Sequence, residues 1–174
     1  MTGDHDGGFA PADFLVKNVG LLPVGRVLDV AAGTGRNAIY LAGLGFTVEG
    51  IDRSEEAVTA ALVAARQAGV SIDMRVADLE IGYPIQKDAY DVIICFNYLQ
   101  RSLVPQIKEG VRRGGMVVYE TFTIDQARFG RPRNPDYLLK YNELLDMFRD
   151  FRCRLYREGV FGGKAIASIL AEKP

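Results

Sequence analysis

This sequence predicts a doubly wound α/β chain with a mostly parallel seven-stranded sheet and an antiparallel last strand, and three observations predict it. Residues 27–42, VLDVAAGTGRNAIYLA, read as a buried strand, a turn with two glycines and a helix. Two later apolar runs each end on an acid, Asp52 and Asp78. The chain closes on two strand-like runs joined by a short glycine-rich connection, which adds one antiparallel strand to a sheet otherwise built of right-handed βα units.

The elements follow in order. A short helix over 12–19 precedes a turn at Pro23 and Gly25, and the first strand covers 26–30. A helix over 36–44 ends where Gly45 supplies a left-handed residue. The second strand covers 46–51. Ser54 then caps a helix whose first turn holds Glu55 and Glu56, with Val58, Ala61, Leu62 and Ala65 on one face and Gly69 at its end. A third strand covers 72–77. Residues 91–96, DVIICF, are continuously apolar, as a central parallel strand covered on both faces requires. A helix over 104–111 leads through Gly114-Gly115 to a fifth strand at 116–121. A helix over 141–148 precedes strands at 153–158 and 165–171, with Gly159, Gly162 and Gly163 between them. Only 122–140 lacks a period, and loops of that length in small domains are usually functional.

The 174 residues fit one domain over 12–174 behind a flexible tail, 1–11, that carries the lone histidine, His5. A net charge of −1 with no basic block gives nucleic acid no footprint. No run reaches the roughly 18 apolar residues of a membrane helix, and the N-terminus lacks the pattern of a secretory signal. Cys95 and Cys153 both sit in apolar strand-like runs, so both are expected as buried free thiols of a cytoplasmic protein. No paired-cysteine spacing offers a metal site.

Ligands of such sheets bind outside the carboxyl ends of the strands. Asp29, Asp52, Asp78 and Asn97 all fall on that edge. Asp52 has two acceptor oxygens for a ribose, Asp78 can accept from an adenine amine, and Asp29 can face a positive group, which points to an adenosine-containing cofactor. Gly33, Gly35 and Ala38 also satisfy the weak dinucleotide pattern GxGxx(G/A). Against a nicotinamide enzyme stand Asp29, placed where that fold has an apolar residue, and the lack of room for a second substrate domain.

VLDVAAGTG, VEGIDRS, VADLE and YDVIICFNYL resemble the ordered motifs of class I S-adenosylmethionine-dependent methyltransferases, over essentially the whole chain. The stretch from ETFT through FGRPRNPDYLL to NELLDMF further resembles small bacterial methyltransferases of the tellurite-resistance type. The resemblance implies S-adenosylmethionine as methyl donor, S-adenosylhomocysteine as product, and no metal. It implies that Asp29, Ala31, Gly33 and Gly35 line the methionine portion, that Asp52 with Arg53 holds the ribose, and that Asp78 with Leu79 borders the adenine. Asn97 and Tyr98 would lie near the transferable methyl. Ala31 departs from the pattern, which has glycine there.

Methyl transfer from a sulfonium is an in-line displacement for which the protein supplies position and electrostatics. A thiolate acceptor needs no base, whereas a hydroxyl or protonated amine does. With no histidine outside the tail, Glu120, Tyr98 and Tyr119 are the candidates, and Asn97, Tyr98 and Glu120 form the expected catalytic set. Arg128, Arg131 and Arg133 are expected to make the 122–140 loop a lid for an anionic acceptor. The chain's size favours a small-molecule acceptor, and the tellurite-type resemblance implies a thiol or chalcogen. A non-catalytic S-adenosylmethionine-binding regulator would share the same pocket.

Overall fold

Seven strands, β1 (Arg26–Val30), β2 (Thr47–Asp52), β3 (Asp73–Val76), β4 (Tyr90–Phe96), β5 (Val111–Phe122), β6 (Arg152–Phe161) and β7 (Lys164–Glu172), form one sheet in the computed structural model, which describes residues 9–174. Their order is β3-β2-β1-β4-β5-β7-β6. Strands β1 to β5 are parallel, and β7 runs antiparallel between β5 and β6. The expected architecture is therefore borne out. Residues 1–8 of the expected 1–11 tail, with His5, lie outside the described residues.

Alternation along the central strands explains the layers. Leu28, Ile93, Cys95 and Tyr119 face one side of the sheet, where α4 (Val104–Gly110) and α5 (Glu143–Met147) cover them. Val27, Val92, Ile94 and Val118 face the other, under α1 (Asp13–Asn18), α2 (Arg36–Gly43) and α3 (Glu55–Gln67). Ser54 caps α3 as expected, its Oγ accepting from the Ala57 N–H at 3.1 Å. Gly35 begins α2 at φ +76°, and a Cβ there would stand 2.9 Å from the Ala61 Cβ, so its bareness lets α2 and α3 approach.

The chain winds outward through β1, β2 and β3, then returns to lay β4 on the opposite side of β1. That reversal opens the crevice in which such sheets bind ligands. Two ties hold the N-terminal segment beside it: the Ala12 N–H donates to Asn37 Oδ1 at 2.8 Å, and Arg36 Nη1 donates to the Ala10 carbonyl at 3.2 Å. Among the described residues no helix is long and apolar enough to cross a membrane.

Three details differ from the sequence expectation. Strand β5 begins at Val111 rather than 116; its partners on β4 step from Tyr90 to Val92 while its own residues step from Val111 to Met116, so 112–115 bulge. Cys153 is exposed, because β6 is an edge strand; Cys95, on central β4, is buried as expected. The 122–140 segment is not featureless. It holds single turns at Ile124–Arg128 and Pro135–Tyr137, and a bridge between Thr123 and Leu139. Arg101 pins it from outside, donating to Glu143 at 2.6 and 3.0 Å and to the carbonyls of Asp136 and Leu138 at 2.9 Å each.

Candidate active site

A cavity of about 760 Å³ opens along the carboxyl ends of the parallel strands. Its floor is Ala31 after β1. One end holds Asp52 and Arg53 from β2, and Asp78, Leu79 and Glu80 after β3. Asn97 and Tyr98, directly after β4, stand between the two ends in the sheet order. The other end is built by Thr121 and Phe122 of β5, by Gln126, Arg131, Pro132 and Tyr137 of the long loop, and by Lys164 at the start of β7.

Asp52 is held by backbone. Its Oδ2 accepts from the Gly33 N–H at 2.8 Å and its Oδ1 from the Ser54 N–H at 2.9 Å, which leaves each oxygen a further acceptor direction. Asp78 Oδ1 accepts from the Glu80 N–H at 2.9 Å, fixing the turn after β3. The two sides of this end are coupled through one amide: Gln100 Nε2 donates to the Leu79 carbonyl at 3.1 Å, and Gln100 Oε1 accepts from the Tyr98 hydroxyl at 2.7 Å.

Asp29 lies behind the floor rather than on it. It is 2 % exposed, and its Oδ2 has no hydrogen-bond partner among the described residues. Burial pushes its carboxyl up to about 8; Asp52 adds to the rise, while Arg36 and the Ala38 N–H oppose it. Gly33 and Gly35 likewise do not line the cavity. Gly33 acts through its N–H on Asp52, and Gly35 through helix packing.

Ala31 occupies the floor at φ +55°, a left-handed conformation that disfavours a side chain. Ala31→Gly is expected to relieve about 1–2 kcal/mol of strain, less ~0.4–1 kcal/mol of added chain entropy. A small rise in thermal midpoint should result; a fall would show that the methyl contributes packing that outweighs the strain.

Among the candidate bases, Tyr98 is pushed up to about 12, first by burial and then by Glu80 and other anions, so it keeps its proton at neutral pH and acts as a donor. Tyr119 is buried, and burial pushes its hydroxyl well above the ordinary value; it donates to the Tyr98 carbonyl at 2.8 Å and does not reach the cavity. Glu120 is not brought into the site either. Side chains alternate along β5, so Thr121 faces the cavity and Glu120 faces away, accepting from Arg157 Nη2 at 3.2 Å and from Ser168 Oγ at 2.5 Å. Its carbonyl still takes part, accepting from the Asn97 N–H at 2.9 Å and holding that residue at φ +57°.

Of the three loop arginines, only Arg131 lines the cavity. Arg128 points outward, 79 % exposed and 3.7 Å from Asp125, and Arg133 is exposed outside the cavity.

The donors fit an adenosine carrying a cationic amino-acid arm: a backbone-anchored carboxylate for the ribose, a fixed turn for the base, and a buried carboxylate oxygen lacking a partner. The family described as "Methyltransferase domain" matches residues 27–115, just over half of the chain's 174. The chain belongs to this family. The resemblance to class I S-adenosylmethionine-dependent methyltransferases read from its motifs is thereby borne out at the level of family and fold. A "Ubiquinone biosynthesis O-methyltransferase" of Thiobacillus denitrificans is 34 % identical over 101 residues, covering 55 % of this chain and 44 % of that protein. The matched stretch thus spans less than half the length of that curated relative. The crystal structure of TehB from Haemophilus influenzae superposes with a TM-score of 0.81 at 21 % identity, covering 94 % of this chain and 62 % of the other. Magnesium protoporphyrin IX methyltransferase from Synechocystis, solved with bound S-adenosylhomocysteine, gives a TM-score of 0.71 at 18 % identity, covering 92 % of this chain and 78 % of the other. At these identities the two structures speak for the fold.

Thr121, Phe122, Gln126, Pro132, Tyr137 and Lys164 were not singled out by sequence reasoning. All lie outside the matched segment, and the loop that supplies three of them has no period. The parity of β5 would have pointed to Thr121, since a residue flanking Glu120 must face the opposite way.

Proposed function

We propose that this protein transfers the methyl group of S-adenosylmethionine to a small acceptor held at the β5–β7 end of the cavity. The reading rests on one observation above all: a single cavity runs from the acids at the ends of β2 and β3, past Asn97 and Tyr98, to a second chamber wall of loop and β7 residues. Asp52 with Arg53 would hold the ribose, Asp78 and Leu79 the adenine, and the free Asp29 oxygen the amino group. When bound, the cofactor supplies an electrophilic sulfonium methyl. The protein's share is alignment, which in well-oriented systems accounts for up to ~7–11 kcal/mol of a barrier. Asn97, fixed by the Glu120 carbonyl, and Tyr98, fixed by Gln100, border the point of transfer and orient the acceptor.

The carboxylates that line the cavity, Asp52, Asp78 and Glu80, all stand at the cofactor end. Among the described residues the acceptor end carries no carboxylate or imidazole, and Tyr98 keeps its proton. This supports an acceptor atom that is already nucleophilic at neutral pH, a thiolate or other chalcogen anion, over the hydroxyl that an O-methyltransferase must deprotonate. The net charge of −1 supports a small-molecule partner over nucleic acid.

Thermal unfolding with S-adenosylmethionine, S-adenosylhomocysteine and NAD side by side tests the cofactor. At about 100 times its dissociation constant a ligand adds ~2.7 kcal/mol, roughly 5–10 °C here. Stabilisation by the first two alone is expected; stabilisation by NAD alone would overturn the reading. Turnover on a thiol panel then separates an enzyme from a regulator that only binds.

A further inference from the structure

We infer that the acceptor carries an oxyanion on an apolar body, gripped between Arg131 and Lys164, with Gln126 as the residue that positions both cations. This rests on the methyl-transfer reading for the acceptor's role, though not for the existence of the anion site.

The argument begins with Gln126. It is a polar side chain, 4 % exposed, on the loop after β5, and both ends of its amide are used. Its Oε1 accepts from the Ala165 N–H at 2.8 Å, and its Nε2 donates to the Arg131 carbonyl at 3.1 Å. Ala165 follows Lys164 directly. One buried amide therefore sets the separation between the backbone of Arg131 and that of Lys164, whose side chains line the same end of the cavity. Its carbonyl adds to the brace, accepting from the Phe129 and Gly130 N–H groups at 2.8 and 3.0 Å. Burying an amide is costly unless its hydrogen bonds are made, so a brace of this kind holds its two attachments in register.

The Arg131 guanidinium makes no ion pair among the described residues, in contrast to Arg128 beside Asp125. Arg131 lines the cavity, and a planar guanidinium fork there is suited to a carboxylate or similar oxyanion. Phe122, Pro132 and Tyr137 supply the apolar wall around it. Charge and wall together describe a small ligand with one anionic group on a flat or aliphatic body, oriented by that group so that its nucleophilic atom points toward Asn97 and Tyr98.

Benzoate, benzyl alcohol and sulfate serve as probes in calorimetric titrations, each with and without saturating S-adenosylhomocysteine. Benzoate is expected to bind at least tenfold more tightly than benzyl alcohol, which lacks the charge, and more tightly than sulfate, which lacks the body. Arg131→Gln and Lys164→Gln should each weaken benzoate about tenfold and leave benzyl alcohol unchanged; Arg128→Gln and Arg133→Gln should change neither. Gln126→Met removes the hydrogen bonds to Ala165 and Arg131 without adding charge. It should lower the benzoate-to-benzyl-alcohol ratio, a readout that general loosening would not move, and a melting curve checks that it folds. Equal binding of benzoate and benzyl alcohol, benzoate binding indifferent to Arg131 and Lys164, or no binding of benzoate at millimolar concentration would each overturn the proposal. Failure of S-adenosylhomocysteine to bind while the benzoate pattern holds would instead sink the methyl-transfer reading and keep the anion site.

Discussion

Asp29→Asn is expected to stabilise the protein at pH 8 and to remove a component of its pH dependence. The folded carboxyl titrates at about 8 against an ordinary value of 3.8. Between those values the folded state holds a proton that the unfolded chain has released, so wild-type stability falls as pH rises from about 4 to about 8 and levels off above. The total is on the order of a few kcal/mol, since one pKa unit corresponds to about 1.4 kcal/mol. Asparagine keeps the oxygen that meets the Ala38 N–H and cannot ionise. Urea melts at pH 5, 7 and 8.5 should therefore show the wild type losing stability that the variant retains; parallel curves would mean that Asp29 is ionised throughout. The variant is expected to bind S-adenosylhomocysteine more weakly, because the wild-type carboxyl can ionise against a cationic amino group and asparagine cannot. Stability given up at a binding site is a common exchange.

Asp52→Ala is expected to lower cofactor affinity by ~2–3 kcal/mol, about 30- to 150-fold, through loss of charge-assisted hydrogen bonds to the ribose. It should also cost stability, on the order of 1–2 kcal/mol, because the Gly33 and Ser54 N–H groups lose their acceptor. Asp52→Asn separates the two effects, retaining one acceptor for the backbone while removing the charge. Calorimetry with S-adenosylhomocysteine reads the first effect and thermal unfolding the second. An unchanged dissociation constant in the alanine variant would mean that the cofactor does not rest on Asp52.

The cofactor end of the cavity was legible in the sequence because its information is local. A strand, a turn and a helix announce themselves by period and by glycine, and an acid closing an apolar run falls on the binding edge by construction, as Asp52 and Asp78 do. Burial was legible on central β4 and misled at the edge, where Cys153 stands between Arg152 and Arg154 on a strand with no neighbour beyond it. The acceptor end was not legible. Gln126 finds Ala165 across 39 positions, and Arg101 reaches Leu138 across 37, and no periodicity encodes either contact. Glu120 was misplaced by one residue in a structure of period two, which is enough to send a carboxylate to the far face of the sheet.

The family match ends at residue 115, and the first residue of the acceptor wall is Thr121. The matched segment holds β1 to β4, and the acceptor wall lies beyond it, although the likeness in fold to TehB extends over 94 % of the chain. On the proposed reading, the residues that would hold the cofactor fall within or beside the matched segment, and those that would hold the acceptor fall in the last third of the sequence, on a hairpin and a loop. A likeness to an O-methyltransferase over 55 % of the chain is thus compatible with a different recipient. Grafting a relative's segment in place of 121 onward is expected to change the acceptor while cofactor binding persists.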